Sequence, residues 1–290
     1  MFEREKAADP EWVPDIESFL GLDQRQEVRG VLGKGGFGYV FKVYDHQLRM
    51  EVALKTLHRV EPGELARFKN EFRRMRGIRH ENLVQLDRLV SVGDRCYFTM
   101  ELVEGPTFLD YARLSDPWGK MAMDAPTYSR GACFESSVLP ADPTEVRRLR
   151  NALKQLALGV NALHQEGLLH RDIKPSNIRV NSQGRVVLLD FGLVKRLGPC
   201  VYGEVGNSST RGIGTPHYMA PEQALGLTVS KASDWYSVGV VLYEALTGSK
   251  PFFDPQPKLP REPTAAKILN PAAPQDLSEL CQHLLASDPR

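Results

Sequence analysis

The chain has 290 residues, a formal net charge of +1, 25% charged residues of interspersed sign, and four cysteines. That length can bury a full core as one bilobed domain or two small ones, and the near-zero charge balance excludes a nucleic-acid partner held by bulk charge. Cys96, Cys133, Cys200 and Cys281 form no C-x-x-C pair, so neither a zinc site nor a disulfide framework is expected. The longest apolar run, around Val238 to Leu246, is interrupted by Gly239, Tyr243 and Glu244 and is too short for a bilayer core of about 30 Å. The N-terminus, MFEREKAADPEW, carries charges where a signal peptide needs an apolar stretch. The expectation is a cytoplasmic protein with no membrane segment.

Residues 1–27 read as a polar lead-in. From Val28 to Leu57 the chain alternates in strand fashion, with Asp45 to Met50 as a turn, and this predicts an antiparallel meander. Leu65, Phe68, Phe72 and Met75 recur at three- and four-residue steps, so they share one face of a helix. Two further strands, Leu83 to Val92 and Arg95 to Val103, are joined through Gly93-Asp94 and complete a five-stranded sheet carrying that helix. Residues 113–142 hold no sustained period and include Pro117, Pro126 and Pro140, which predicts an inserted surface loop.

Asp142-Pro143-Thr144-Glu145 predicts a helix start, with an Asp cap, Pro at the first helical position and Glu three residues after the cap. Its stripe of Val146, Leu149, Leu153, Leu156, Val160 and Leu163 ends at Gly167. Beyond it the pattern is mainly helical, with Ala232 to Leu246 the most apolar helix and Asp276 to Leu285 the last. Seven prolines from Pro251 to Pro274 rule out a long helix there.

Leu32-Gly33-Lys34-Gly35-Gly36-Phe37-Gly38-Tyr39-Val40 contains G-x-G-x-x-G-x-V between two strands. Positions without side chains let backbone N–H groups approach a triphosphate, although glycine-rich hairpins also serve simply as tight turns. A strand rather than a helix follows, which disfavours a dinucleotide-binding unit. Fifteen residues after Val40, Val52-Ala53-Leu54-Lys55 puts a lysine on a strand beside this loop, within reach of α- and β-phosphates. Glu71 sits between Phe68 and Met75 on the buried edge of the helix, where a carboxylate needs a partner, and Lys55 is the expected one.

His170-Arg171-Asp172-Ile173-Lys174-Pro175-Ser176-Asn177 is followed by Asp190-Phe191-Gly192 after a two-strand hairpin, Ile178 to Val180 and Val186 to Leu189. An acid, a lysine two residues on, an amide five residues on and a second acid supply a base (Asp172), a phosphate clamp (Lys174) and two metal ligands (Asn177, Asp190).

On these motifs the chain resembles the eukaryotic-type (Hanks-type) serine/threonine protein kinase family, in its bacterial form, over residues 28–290. Further matches are Gly214-Thr-Pro-His-Tyr-Met-Ala-Pro-Glu222, Asp234-Trp-Tyr-Ser-Val-Gly239 and Tyr97-Phe-Thr-Met-Glu-Leu-Val103. The resemblance implies an α+β bilobed fold: a small antiparallel five-stranded N-lobe with one helix (28–103) and a larger, mainly helical C-lobe (104–290). It implies transfer of the γ-phosphoryl group of ATP, with Mg²⁺, to Ser/Thr hydroxyls of a protein substrate, and self-association for autophosphorylation. Leu32 to Val40, Ala53 and Lys55 would line the ATP site, with Met100 as gatekeeper and Glu101 and Val103 offering backbone groups to adenine. Lys174 and Thr215 indicate serine/threonine rather than tyrosine acceptors. Arg171 would grip a phosphate on the segment between Asp190 and Glu222, placed on Ser209 or Thr210.

Several positions depart from the family pattern. Arg179 stands where an aliphatic residue usually lies beneath adenine; its stem can cover the ring while the guanidinium reaches outward. Ser176 and Thr107 replace acids, so a preference for basic substrates is unsupported. The arginine that would pair with Glu222 falls past Arg290, which predicts a truncated domain. Two other readings share many of these motifs, a nucleotide-binding scaffold without turnover and a small-molecule kinase. The second lacks the long segment ending in Ala-Pro-Glu.

Overall fold

The protein is described by a computed structural model over residues 25–35, 38–57, 62–92, 95–113, 142–190, 216–252 and 262–286. Strands β1 (Gln26–Gly35), β2 (Gly38–Asp45), β3 (Met50–Leu57), β4 (Leu86–Val92) and β5 (Arg95–Glu101) form one antiparallel sheet in the order β1-β2-β3-β5-β4. Period-two alternation gives this sheet two different faces. Val28, Phe41, Val43, Val52, Leu54 and Tyr97 make a small core on one of them. Ala53, Leu57, Phe98, Met100 and Leu86 join the main core together with Phe68, Phe72 and Met75 of helix α1 (Pro62–Arg76). The expected helical face is therefore the one that packs.

β4 starts three residues later than the alternation predicts. The segment before it bonds to the other lobe: the Val84 N–H donates to the Leu188 carbonyl (3.1 Å), and the Leu188 N–H to the Asn82 carbonyl (2.9 Å). Likewise β5 stops at Glu101 rather than Val103.

The second lobe contains helices α2 (Phe108–Arg113), α3 (Pro143–Gln165), α4 (Pro221–Ala224), α5 (Lys231–Thr247), α6 (Ala266–Leu269) and α7 (Gln275–Leu284), with the hairpin β6 (Ile178–Val180) and β7 (Val186–Leu188). Asp142 caps α3, its carboxylate accepting from the Thr144 N–H at 2.8 Å, and Gly167 beyond the last turn takes φ 68°, a conformation that glycine adopts at little cost. Helix α5 is buried almost all round, as an interior helix must be when it is apolar on every face. Ser230 and Ser233 cap it reciprocally, and it ends at Gly248 with φ 75°. Cys96 and Cys281 lie in these cores, and burial pushes their thiols up to about 11 and about 12.

Of the sequence expectations, residues 1–24 of the lead-in, the 113–142 insertion except its end residues, Gly36, Phe37, Phe191, Ser209, Thr210, Thr215 and Arg290 lie outside the described residues, and the last two lead-in residues, Gln26 and Glu27, instead open β1. The Pro251 to Pro274 stretch holds, among described residues, only the four-residue α6.

Candidate active site

The loop from Leu168 to Lys174 has no regular structure, so its shape depends on side chains that accept its N–H groups. Asp234, in the first turn of α5, does this. Its Oδ1 accepts from the Arg171 N–H and its Oδ2 from the His170 N–H and the His164 Nε2, all at 2.8 Å. Burial works to raise the Asp234 carboxyl, but these bonds, led by His164, overcome it and hold the group below its usual range. The Asp172 N–H donates to His170 Nδ1 (3.2 Å), which leaves the His170 proton on Nε2, facing the Leu189 carbonyl at 2.8 Å. Burial pushes the His170 imidazole below its ordinary value, so it is a neutral strut between two loops.

Asp172 is oriented from two sides. Asn177 Nδ2 donates to its carbonyl (2.8 Å) and its Oδ2 (3.1 Å), and Lys174 Nζ lies 3.1 Å from the same Oδ2. Both Asn177 amide hydrogens point at Asp172, so its Oδ1 is the end left for another ligand. The Leu189 N–H donates to the Asn177 carbonyl at 2.7 Å, which sets Asp190 beside this group.

Lys55, only 6% exposed on β3, needs a carboxylate close by. The structure supplies Asp190, both of whose oxygens receive the Lys55 ammonium. The expected partner, Glu71, stands half-buried on α1. Arg171 and Asp190 are non-glycine residues with φ of 64° and 57°, a left-handed conformation that strains each by roughly 1–2 kcal/mol.

On the sheet side, β1 and β2 close as a hairpin with Gly33 opposite Val40, Lys34 opposite Tyr39 and Gly35 opposite Gly38. Gly38 has φ 140°, and a Cβ there would lie 2.2 Å from the Thr56 carbonyl oxygen; the loop thus lies directly on β3 one residue past Lys55. Leu32, Val40, Leu102 and Val103 pack partly buried against the core that holds Ala53 and Met100. Arg179 Nη1 donates to the Gly105 carbonyl at 3.2 Å, so its guanidinium is tied to the linker.

Asn177 and Asp190 offer only hard oxygen ligands, and among the described residues no group of three or more His, Cys, Asp or Glu could cage a metal. A sparse carboxylate-and-amide set fits Mg²⁺, which keeps water and phosphate oxygens as its remaining ligands.

In the sequence Asp234 stands out only as part of the Asp234 to Gly239 match. A lone acid opening the most apolar helix was the available signal, because such a group must find buried partners. Glu222, lacking its expected arginine among the described residues, accepts from the Ser233 hydroxyl at 2.5 Å.

The family model for the protein kinase domain matches residues 26–289. The chain belongs to the protein kinase family. This kinase domain is similar to the serine/threonine-protein kinase pkn2 of Myxococcus xanthus, 34% identical over 264 residues that cover 88% of this chain and 28% of that protein. It is also similar to the serine/threonine-protein kinase PrkC of Bacillus subtilis, 29% identical over 92% of this chain and 38% of that protein. The chain thus spans between 28% and 38% of the length of these two relatives. In fold it matches the kinase domain of Mycobacterium tuberculosis PknI, with TM-score 0.62 at 23% identity over 93% of this chain and 92% of that one. The bilobed α+β fold is accordingly that of the protein kinase family.

Proposed function

We propose that this chain transfers the γ-phosphoryl group of ATP to serine or threonine hydroxyls of proteins, itself included, in the cytoplasm. The observation that carries the reading is the convergence of Asp172, Lys174, Asn177, Asp190 and Lys55 from three separate segments: Lys174 and Asn177 bond to Asp172, Lys55 bonds to Asp190, and the Leu189 N–H, donating to the Asn177 carbonyl, joins the two sets. Asp172, held by Asn177 and Lys174, accepts the acceptor hydroxyl's proton as the oxygen attacks phosphorus. Lys174 neutralises the transferring phosphoryl, and Lys55 reaches the α- and β-phosphates under the Gly33 to Gly38 hairpin. Asn177 and Asp190 would hold Mg²⁺, which supplies charge neutralisation across the phosphate oxygens. Glu101 and Val103 present backbone groups to adenine, and Thr215 with Lys174 favours aliphatic hydroxyls.

Arg171 receives a phosphate placed on Ser209 or Thr210. Intact-mass analysis after incubation with ATP and Mg²⁺ should show added phosphate in 191–215; its absence would remove this part of the reading.

The main test is transfer of label from ATP to the chain itself and to a generic protein by wild type and Asp172→Asn. A positioned base contributes about 10²- to 10⁴-fold, so the variant should lose most transfer while binding ATP normally. Equal transfer by both proteins would sink the proposal.

A further inference from the structure

Arg185 lies in the turn of the β6–β7 hairpin and is not among the residues assigned to phosphates, metal or acceptor. Its guanidinium grips both carboxylate oxygens of Glu101, with Nη2 3.1 Å from Oε2 and Nη1 on Oε1, and its Nε donates to the Glu81 carbonyl at 2.6 Å. The root of the side chain is fixed as well, because the Arg185 N–H donates to Asn181 Oδ1 at 2.9 Å. A guanidinium fork sets the orientation of a carboxylate as a single ammonium cannot.

Glu101 is the last residue of β5, and the linker between the lobes begins just after it. The linker's far end is held by the same hairpin. The Val180 N–H donates to the Pro106 carbonyl (3.1 Å), Arg179 Nη1 to the Gly105 carbonyl (3.2 Å), and Thr107 bridges Arg179. Gly105, with φ 149°, lies so close to the hairpin that a Cβ would stand 1.8 Å from the Val180 carbonyl oxygen. One small hairpin therefore clamps both ends of the four-residue stretch from Leu102 to Gly105. At the exit a backbone bond and the Arg179 side chain do it; at the start, among the described residues, Arg185 is the hairpin side chain that does it, on a Glu101 carboxylate that also accepts from the Gln85 N–H at 3.4 Å.

We propose that Arg185 is a positioning residue for the base of the nucleotide: by fixing Glu101 it fixes the linker backbone that hydrogen-bonds adenine, without touching the nucleotide. This rests on the kinase reading above. Pre-organised donors and acceptors bind without reorganisation, and a linker displaced by about 1 Å loses that advantage. The effect should fall on the base and spare the phosphates, which are held by Lys55, the glycine hairpin and Lys174 on other segments.

The test is binding to the purified full chain of ATP, and of magnesium tripolyphosphate as a probe that lacks a base. Loss of a charge-assisted pair, discounted for its partial exposure, should weaken ATP in Arg185→Ala by about five- to twentyfold. Tripolyphosphate affinity should stay within about twofold, since no bond to phosphate has changed. Arg185→Lys, which keeps the charge without the fork, should recover only part of the loss. Should Arg185→Ala not fold, Glu101→Gln, which breaks the ion pair but keeps the shape, is read by the same two probes. Unchanged ATP affinity overturns the proposal, and so does parallel weakening of both probes, which would make Arg185 a general stabiliser. Folded wild type that binds tripolyphosphate but not ATP, or neither, overturns the kinase reading itself, a result distinguishable from the other two.

Discussion

Replacing Asp234 by alanine should release the Leu168 to Lys174 loop from helix α5. The carboxylate is 1% exposed and accepts three hydrogen bonds of 2.8 Å, two of them from consecutive N–H groups of the loop, His170 and Arg171. Each bond to a charged acceptor contributes about 1.5–3 kcal/mol. Relaxation and water entry return part of this, so the expected net loss is about 3–5 kcal/mol. That is a large share of the 5–15 kcal/mol or so that holds an ordinary domain. Asp234→Asn keeps one oxygen but turns an NH₂ group toward the other donor, and should lose about 2 kcal/mol. Urea unfolding followed by tryptophan fluorescence reads both, as a lowered midpoint at unchanged slope. Because Arg171 sits at φ 64° under this clamp, phosphoryl transfer should fall in Asp234→Asn even where the protein is fully folded. If Asp234→Ala unfolded within about 1 kcal/mol of wild type, less than one such bond contributes, the argument from buried acceptors would be wrong.

Stability should also depend on pH through His170. Its value is lowered in the fold by burial, so below about 6.5 the unfolded chain takes up a proton that the native state refuses, and stability falls with pH by at most about 1.4 kcal/mol per unit. Asp234, held low, adds its own loss only under strongly acidic conditions, as pH drops through its depressed folded value. Midpoints between pH 7.5 and 5 should decline in wild type and flatten in His170→Gln; a flat wild-type profile contradicts the neutral strut. Gly105→Ala should lose about 2–4 kcal/mol, since its Cβ would overlap the Val180 carbonyl and φ is 149°. A melting temperature within one degree of wild type would show that linker and hairpin separate freely.

Features set by neighbouring residues were legible in the sequence. The start of α3 was readable because Asp142, Pro143 and Thr144 carry its cap within three residues. The Asp172 loop was readable because Asp172, Lys174 and Asn177 lie within six residues of one another and bond together. Features set by contact between distant segments were not. The alternation from Leu83 onward looked like strand, yet residues 82–84 bond to β7 more than a hundred positions away. Lys55 and its carboxylate are 135 residues apart, and nothing in spacing chooses between Glu71 and Asp190. Arg185 and Glu101 are ordinary charged residues 84 positions apart, and only folding makes them a pair.

This division has a physical cause that also locates the cost of the site. The loop that carries Asp172 lacks a ladder of its own, and Arg171 within it, like Asp190 just past β7, holds a conformation that side chains resist. Such a segment keeps its shape only if the surrounding structure supplies bonds worth more than the strain, and those come from Asp234, His170 and Asn177, all buried. The exposed pair Arg150–Asp276, also bidentate, joins two helices that need no such help and should contribute little, because solvent screens it. In this domain the bonds that stabilise and the bonds that shape the loop of the proposed base are therefore the same ones, so variants of Asp234 or His170 should lose transfer and stability together, whereas Arg150→Ala should change neither.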